Sequence, residues 1–214
     1  FNQALKREIL PPVLELIKPG LKYEPEAFIR QSDFIDSRLF PNRKIHRFKG
    51  SDFVTGSYGE GLFAFSQIEV QEISTRRSGG KTETRISELF RGLFYIADFN
   101  KSFSGKTVIY PDYARAALGG QFGEMLNQAI GTDHTELVML EDTEFEKEFA
   151  VYSTNQVEAR YILSPSMIER IKLIRQKLDR NLSFSFINNR VYIAVSGETE
   201  FLSPVIFHEL TRFE

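Results

Sequence analysis

The chain has 214 residues and a formal net charge of −2, which argues against nucleic-acid binding because such domains carry a basic surface. It contains no cysteine, which excludes disulfides, thiolate metal ligands and a cysteine nucleophile. Its 20 phenylalanines, without any tryptophan, predict a phenylalanine-rich core, because this side chain brings a large apolar area and no polar group.

Hydropathy gives no indication of a membrane span. No stretch reaches the roughly 20 apolar residues that a spanning helix needs, and no basic segment followed by an apolar run marks a signal peptide. Because the sequence starts at Phe1 rather than at a methionine, we expect a soluble domain taken from a longer protein.

The N-terminal part has helical spacing. Apolar residues recur at this spacing over residues 1–17, and Pro11 and Pro12 predict either a kink or two short helices. A second helical stretch is expected after Pro25, continuing to about Leu39 after a break near Ser32. Residues 1–40 are therefore predicted to form a helical segment packed on a core of residues 41–214, with one structural domain in all.

The next part of the chain indicates strands. A glycine-rich hairpin turn is predicted at residues 56–61, followed by a strand over residues 62–73. The apolar residues of that strand change parity, which predicts a β-bulge within it. An exposed loop is expected at residues 76–82, and one helical turn near residues 87–90.

The remaining elements alternate between short helices and paired strands. Helical patterns occupy residues 113–118 and 122–130, and the tail from Phe201 is ambiguous. Asp142 is expected to cap a helical turn, and the S-x-x-Q pattern from Ser153 to Gln156 resembles a capping box.

The clearest helix follows Ser164 and Pro165. Its predicted apolar stripe consists of Met167, Ile171, Ile174 and Leu178. Asn188 and Asn189 then mark a hairpin turn. Paired strands with helices in blocks predict an α+β fold, in which helices pack on an antiparallel, strongly bent sheet, with the N-terminal helical segment added.

Nucleotide and metal motifs are not convincing. A phosphate loop needs a glycine five residues before the glycine of Gly-Lys-Thr, but Thr75 and Asn100 occupy those positions for the two such tripeptides. The three histidines have no metal-ligand spacing. We therefore predict turns at both tripeptides, no cofactor and no metal site.

The acidic cluster of the chain allows two interpretations. It comprises Glu141, Asp142, Glu144, Glu146 and Glu148. These carboxylates could bind a divalent cation or act as acid and base in a metal-assisted hydrolase, or they could start a solvated helix whose dipole favours negative charge. The helix start is the preferred interpretation, and the hydrolase is kept as an alternative.

Two basic patches could lie on an anionic membrane surface, although a solvated face is the more common explanation. One is the outer face of the helix after Pro165. The other consists of Arg38, Arg43, Lys44, His46, Arg47 and Lys49.

Several long sequence blocks resemble a known family. They are FRGLF at residues 90–94, ADFNK at 97–101, LEDTEFEK at 140–147 and VYSTNQVEARYIL at 151–163. They are similar to the bacterial family catalogued as domain of unknown function 3137. Thr143 and Asn155 stand where this family often has proline and aspartate.

The resemblance implies an architecture but assigns no role to any residue. Members of the family typically carry hydrophobic segments before this domain. We therefore expect a protein anchored in the bacterial inner membrane, with this soluble domain on the cytoplasmic side.

The leading hypothesis for function is a non-catalytic binding or interaction domain whose partner is a protein or a lipid surface, and not a nucleic acid. The hydrolase and a structural or oligomerisation module are the alternatives. A ligand or partner surface is expected where polar residues interrupt the sheet, at Asp98, Asn100, Lys101, Glu141, Asp142, Tyr152, Gln156 and Arg160. Arg160 could instead form a structural ion pair with Glu158 or Glu141.

Overall fold

The computed structural model describes residues 3–40, 44–78, 81–112 and 135–197. Within these residues the chain forms two compact units, one from residues 3–31, 44–96 and 196–197 and the other from residues 32–40, 97–112 and 135–195. The predicted helical patterns at residues 113–118 and 122–130 and the ambiguous tail lie outside the described residues. The predicted boundary after residue 40 stays a prediction.

The first unit contains one helix and four strands in chain order. The elements are α1 (Gln3–Ile17), β1 (Lys22–Glu24), β2 (Arg47–Tyr58), β3 (Gly61–Ser78) and β4 (Lys81–Asp98), and the strands lie side by side in that order. α1 runs through Pro11 and Pro12 as a single helix. Each proline removes one amide donor, and this is tolerated because both prolines and the residues four positions before them are exposed.

The predicted turn between β2 and β3 is confirmed, with Tyr58 opposite Gly61. The predicted bulge is in the partner strand instead. Ser51 pairs with Gln67 and Val54 with Phe65, so the extra residue belongs to β2. The two parities of β3 are the two faces of one strand, since Ile68 is buried on one face and Phe65 stacks on Tyr95 from the other.

The loop predicted at residues 76–82 and the helical turn near residues 87–90 were wrong. β3 continues to Ser78, and β4 runs unbroken from Lys81 to Asp98. Paired strands satisfy their backbone hydrogen bonds whatever the polarity of their side chains. A polar composition was therefore a poor guide to the end of the hairpin.

A buried polar network joins α1 and β1 to the bulge in β2. Lys6 Nζ lies 2.8 Å from Asp52 Oδ2, and their side chains are only 7% and 2% exposed. The other carboxylate oxygen of Asp52 accepts a hydrogen bond from the Tyr23 hydroxyl, and the Asp52 amide donates to Pro25 O. Asp52 itself has a φ of 61°, a left-handed conformation that aspartate tolerates better than most residues.

Replacing Lys6 by alanine should destabilise the protein by about 3 kcal/mol, because the Asp52 carboxylate is then left buried without its cation. The Lys6→Ala/Asp52→Asn variant should recover part of this loss, because asparagine removes the charge and still tolerates the positive φ. Urea unfolding of both variants tests this. Equal stability of the single and double variants would contradict it.

The second unit is also α+β. It contains α2 (Gln31–Asp36, mostly in this unit), β5 (Lys106–Pro111), β6 (Glu136–Leu137), α3 (Thr143–Glu148), β7 (Phe149–Ser153), α4 (Gln156–Ile162), α5 (Pro165–Leu178), β8 (Leu182–Ile187) and β9 (Arg190–Ser196). Its strands are ordered β9-β8-β5-β7-β6, and each neighbouring pair is antiparallel. The predicted α+β class and antiparallel pairing are therefore confirmed.

Phenylalanines fill the core of the second unit, as predicted. Phe145 at the centre of α3 stacks on Phe149 with ring centroids 4.9 Å apart, and Phe149 meets Phe184 of β8 edge-on. On α5 the buried residues are Ile168 and Ile171. The predicted stripe of that helix is thus only partly correct, because Ile174 and Leu178 are exposed.

The buried Tyr110 and the partly buried Tyr23 make stability sensitive to alkaline pH. Burial raises the pKa of Tyr110, whose hydroxyl donates to Leu39 O at 3.1 Å. Burial and the Asp52 carboxylate likewise raise the pKa of Tyr23. In the unfolded chain tyrosine loses its proton near pH 10, so the folded state binds more protons above that pH and its stability falls as pH rises.

Tyr110 should lower the free energy of unfolding by up to about 1.4 kcal/mol per pH unit above roughly pH 10, and Tyr23 should contribute less because solvent screens it. A Tyr110→Phe variant should lose about 1 kcal/mol at neutral pH with its hydrogen bond, and should show a shallower decline in alkali. Urea unfolding over a pH series measures both effects. An unchanged slope would show that Tyr110 ionises equally well in the folded protein.

Candidate functional site

α4 is positioned by a cap different from the predicted one. Asn155 is the N-cap, and its side-chain oxygen accepts from the Glu158 amide at 3.0 Å. Ser153 is buried instead, where its hydroxyl lies 2.9 Å from the Thr107 hydroxyl and accepts from the Asn155 amide. The predicted helix is confirmed, and the predicted role of Ser153 as its cap is wrong.

α4 has an apolar pair on each of two faces. Ala159 and Ile162 face the core and are buried. Val157 and Tyr161, one turn apart, are 79% and 67% exposed. A helix of seven residues has one face for the core, so the second apolar pair is left in solvent.

The loop over residues 99–105 is held firmly although its sequence is polar. The amides of Phe99 and Phe103 donate to the carbonyls of Asn189 and Asn188 in the β8–β9 turn. Both rings also meet Phe186 edge-on. Asn188 has a φ of 58°, as expected for an asparagine at such a turn.

Glu158 fastens this loop to α4. Its carboxylate accepts from the Ser104 amide at 2.8 Å, from the Gly105 amide at 2.7 Å and from the Ser104 hydroxyl at 3.1 Å. Charge-assisted bonds of this kind are stronger than neutral ones. Gly105 is required here, because a Cβ at this position would lie 2.7 Å from Asn155 Cβ.

Lys101 and Tyr161 meet at the outer side of this joint. The Lys101 ammonium donates to the Tyr161 hydroxyl oxygen and lies 4.4 Å from the ring centroid. The hydrogen bond and the positive charge of Lys101 lower the pKa of Tyr161. The pair presents an aromatic ring and an ammonium group together at the surface.

Gln156 and Arg160 attach the other side of α4 to the edge of the sheet. Gln156 Nε2 donates to Leu137 O at 3.1 Å, and Arg160 donates to Gln156 O and Met139 O at 3.3 and 3.4 Å. Arg160 is exposed. In these contacts it binds carbonyl groups rather than the carboxylate of Glu158, which is engaged by the loop.

We use the name α4 face for the exposed side chains gathered here, namely Lys101, Met139, Val157, Arg160 and Tyr161. Three of the residues predicted from sequence therefore belong to or support one surface: Lys101, Gln156 and Arg160. Asn100 is exposed in the adjoining loop. Asp98 precedes the loop and lies 3.9 Å from Arg190, which also pairs with Asp33.

The other predicted residues lie elsewhere. Tyr152 is only 7% exposed, opposite Val108 on one side and Leu137 on the other, so it belongs to the core. Glu141 is exposed and directly precedes the cap of α3.

The acidic cluster has structural partners. Asp142 caps α3 by accepting from the Glu144 and Phe145 amides at 3.0 and 2.9 Å, and these bonds, with Lys172 nearby, lower its pKa. Glu146 accepts from the Leu140 amide. The capping interpretation is confirmed for Asp142. Within residues 3–40, 44–78, 81–112 and 135–197, no group of three or more His, Asp or Glu is placed to hold a metal ion.

The basic outer face of α5 is partly neutralised. Lys172 lies 3.2 to 3.4 Å from carboxylate oxygens of Asp142, Glu144 and Glu169. Arg175 lies 3.5 Å from Asp179. These pairs weaken the case for α5 as a membrane-binding patch, and Arg43 of the other patch lies outside the described residues.

Sequence reasoning missed Met139, Val157, Glu158 and Tyr161. One pattern could have identified two of them. Val157 and Tyr161 are spaced i, i+4, whereas Ala159 and Ile162 are spaced i, i+3, so a short helix cannot bury both pairs. The role of Glu158 depends on a loop more than 50 residues away, and no local pattern indicates it.

Glu158→Ala should destabilise the protein by about 2 kcal/mol, since two backbone amides lose a charged acceptor. Glu158→Gln should lose less, because its amide oxygen can still accept one of these bonds. Hydrogen exchange should accelerate at residues 104 and 105 in the alanine variant. Unchanged exchange there would show that the loop does not depend on Glu158.

Comparisons with known proteins give a family and one structural likeness. No curated protein matches the chain. The crystal structure of the mycobacterial trehalose monomycolate transport factor A superposes with a TM-score of 0.47 and 13% identity, over 90% of this chain and 82% of that chain. In the described parts of the chain, no helix is both long enough and apolar enough to cross a membrane.

A family model described as "Protein of unknown function (DUF3137)" matches residues 88–214. The match includes α4, the loop over residues 99–105 and the sequence blocks on which the resemblance was based. This chain therefore belongs to the DUF3137 family of proteins of unknown function.

Proposed function

We propose that this chain is a non-catalytic interaction domain that binds a protein partner through the α4 face. The observation that carries the proposal is the exposure of an apolar pair, Val157 and Tyr161, on a helix that is braced from several sides. Aromatic side chains, methionine and arginine are enriched in protein interfaces, and Tyr161, Met139 and Arg160 supply all three.

The α4 face is organised before any partner binds. Glu158 holds the loop, Gln156 holds the sheet edge, and Lys101 restricts the Tyr161 ring. Binding therefore immobilises few additional side chains, and each ordered side chain saves about 0.5 to 1.5 kcal/mol of binding free energy.

The charges of the α4 face suggest the chemistry of the partner. Lys101 and Arg160 are exposed cations, and the nearby Glu158 carboxylate is occupied by backbone amides. Glu141 is the exposed carboxylate two residues after Met139. A partner with an apolar anchor flanked by carboxylates fits this arrangement, and charge complementarity would mainly speed its association.

The proposal includes a membrane tether in the full-length protein, with this domain on the cytoplasmic side of the bacterial inner membrane. Its support is the family resemblance alone. Fractionation of the full-length protein, followed by an alkaline wash, tests the tether. Protease access in spheroplasts tests the side, and digestion of this domain without lysis would contradict a cytoplasmic location.

The α4 face is tested with two matched double variants of the tagged full-length protein. Val157→Ser/Tyr161→Ser removes the apolar pair of α4. Leu173→Ser/Leu178→Ser is the control and removes two exposed aliphatic residues from α5. After crosslinking in cells, a partner should be recovered with the wild type and with the control, and at least about tenfold less with the α4 variant, as expected for loss of an aromatic anchor.

Equal recovery of every partner with all three proteins would refute the proposal. Lys101→Glu/Arg160→Glu gives a second check. This charge reversal should also weaken the interaction, and it should do so more at low salt than at high salt.

A further inference from the structure

The first unit carries a second exposed apolar surface, unrelated to the α4 face. Leu16 and Ile17 at the end of α1 are 87% and 72% exposed, and Tyr58 and Leu62 at the β2–β3 turn are 82% and 64% exposed. We call these four residues, together with Lys18 and Lys22, the tip of the first unit.

Specific contacts bring the helix end and the hairpin turn together. After α1 ends, Gly20 turns the chain with a φ of 85°, and Lys22 of β1 pairs with Thr55 of β2. The Lys18 ammonium then lies over the Tyr58 ring, 5.2 Å from its centroid. The four apolar side chains therefore project from neighbouring parts of one unit.

The base of the tip is tightly packed. A Cβ at Gly56 would lie 2.5 Å from Leu21 Cδ2 and 2.7 Å from the Phe63 ring, so Leu21 and Phe63 close directly on the β2 backbone. The apolar side chains thus stand on a rigid support and cannot fold back into the core without disrupting it.

We propose that the tip inserts shallowly into the interfacial layer of a phospholipid bilayer. Its composition suits a bilayer surface, because it combines three exposed aliphatic side chains and an exposed tyrosine with two lysines. Tyrosine favours the interface, lysine stems extend along apolar surface while the ammonium reaches the lipid phosphates, and the aliphatic side chains enter the acyl boundary.

The charges near the tip indicate which lipids it meets. Lys18 and Lys22 are balanced in number by Glu15, which accepts from the Gly20 amide at 3.1 Å, and by Glu60 in the hairpin turn. Because these positive and negative charges are equal in number, the affinity for the bilayer comes from the insertion of apolar side chains. Binding therefore extends to zwitterionic lipid and is only modestly increased by anionic lipid.

A second copy of the chain is a poorer occupant. Four side chains expose on the order of a few hundred Å², less than the roughly 800 Å² per partner of a standard protein interface. The proposal rests on the first unit alone and is independent of the proposed role of the α4 face.

The absence of tryptophan from the chain allows a direct test. Tyr58→Trp and Tyr161→Trp each introduce a single reporter, one in the tip and one in the α4 face. With phosphatidylcholine vesicles, with or without phosphatidylglycerol, the Tyr58→Trp emission should shift to the blue and be quenched by brominated lipid. The Tyr161→Trp emission should not change. No shift for Tyr58→Trp, or an equal shift for both, would overturn the proposal.

Co-sedimentation of the 214-residue chain with the same vesicles provides the second test. Leu16→Ser/Ile17→Ser and Tyr58→Ser/Leu62→Ser should each lower the partition coefficient at least about tenfold, as expected when two apolar side chains no longer leave water. Val157→Ser/Tyr161→Ser should bind like the wild type. If both tip variants bind like the wild type, or if the wild type binds only anionic vesicles and only at low salt, the tip does not insert.

Discussion

The interaction on which the candidate site depends is the carboxylate of Glu158 held by the amides of Ser104 and Gly105. It joins a polar loop to a seven-residue helix that is too short to be stable by itself. It also turns the one carboxylate of α4 toward the loop amides, so that Glu158 is not paired directly with Lys101 or Arg160 in these contacts. The same contact thus gives α4 its rigidity and leaves Tyr161 and Lys101 presented together at the surface.

The parts of the fold that local chemistry determines were predictable. Pro165 starts α5 after Ser164, Asp142 caps α3, and Asn188 takes the left-handed conformation at its turn. Each of these depends on residues within a few positions of one another. Elements that depend on distant pairing were not predictable, such as the unbroken β4, whose polar first half forms a strand because it pairs with β3.

In the candidate site, too, the sequence predicted only the side chains whose placement depends on their near neighbours. Lys101, Gln156 and Arg160 were expected at a surface, because their residue types and positions beside apolar strands suggested it. Which apolar residues of α4 face solvent depends on how the helix meets the sheet, and helical periodicity cannot decide this for two competing pairs. Tyr152 was wrongly expected at the surface because of its polar hydroxyl. It is buried in β7, a strand that lies between β5 and β6.

Site-specific photocrosslinking in the full-length protein tests the central claim most directly. A photoreactive residue in place of Val157, on the α4 face, is compared in growing cells with one in place of Lys177, which is exposed on α5. The account predicts a discrete crosslinked protein from position 157 that position 177 does not give. The same products from both positions, or none from position 157, would contradict an interaction surface on α4.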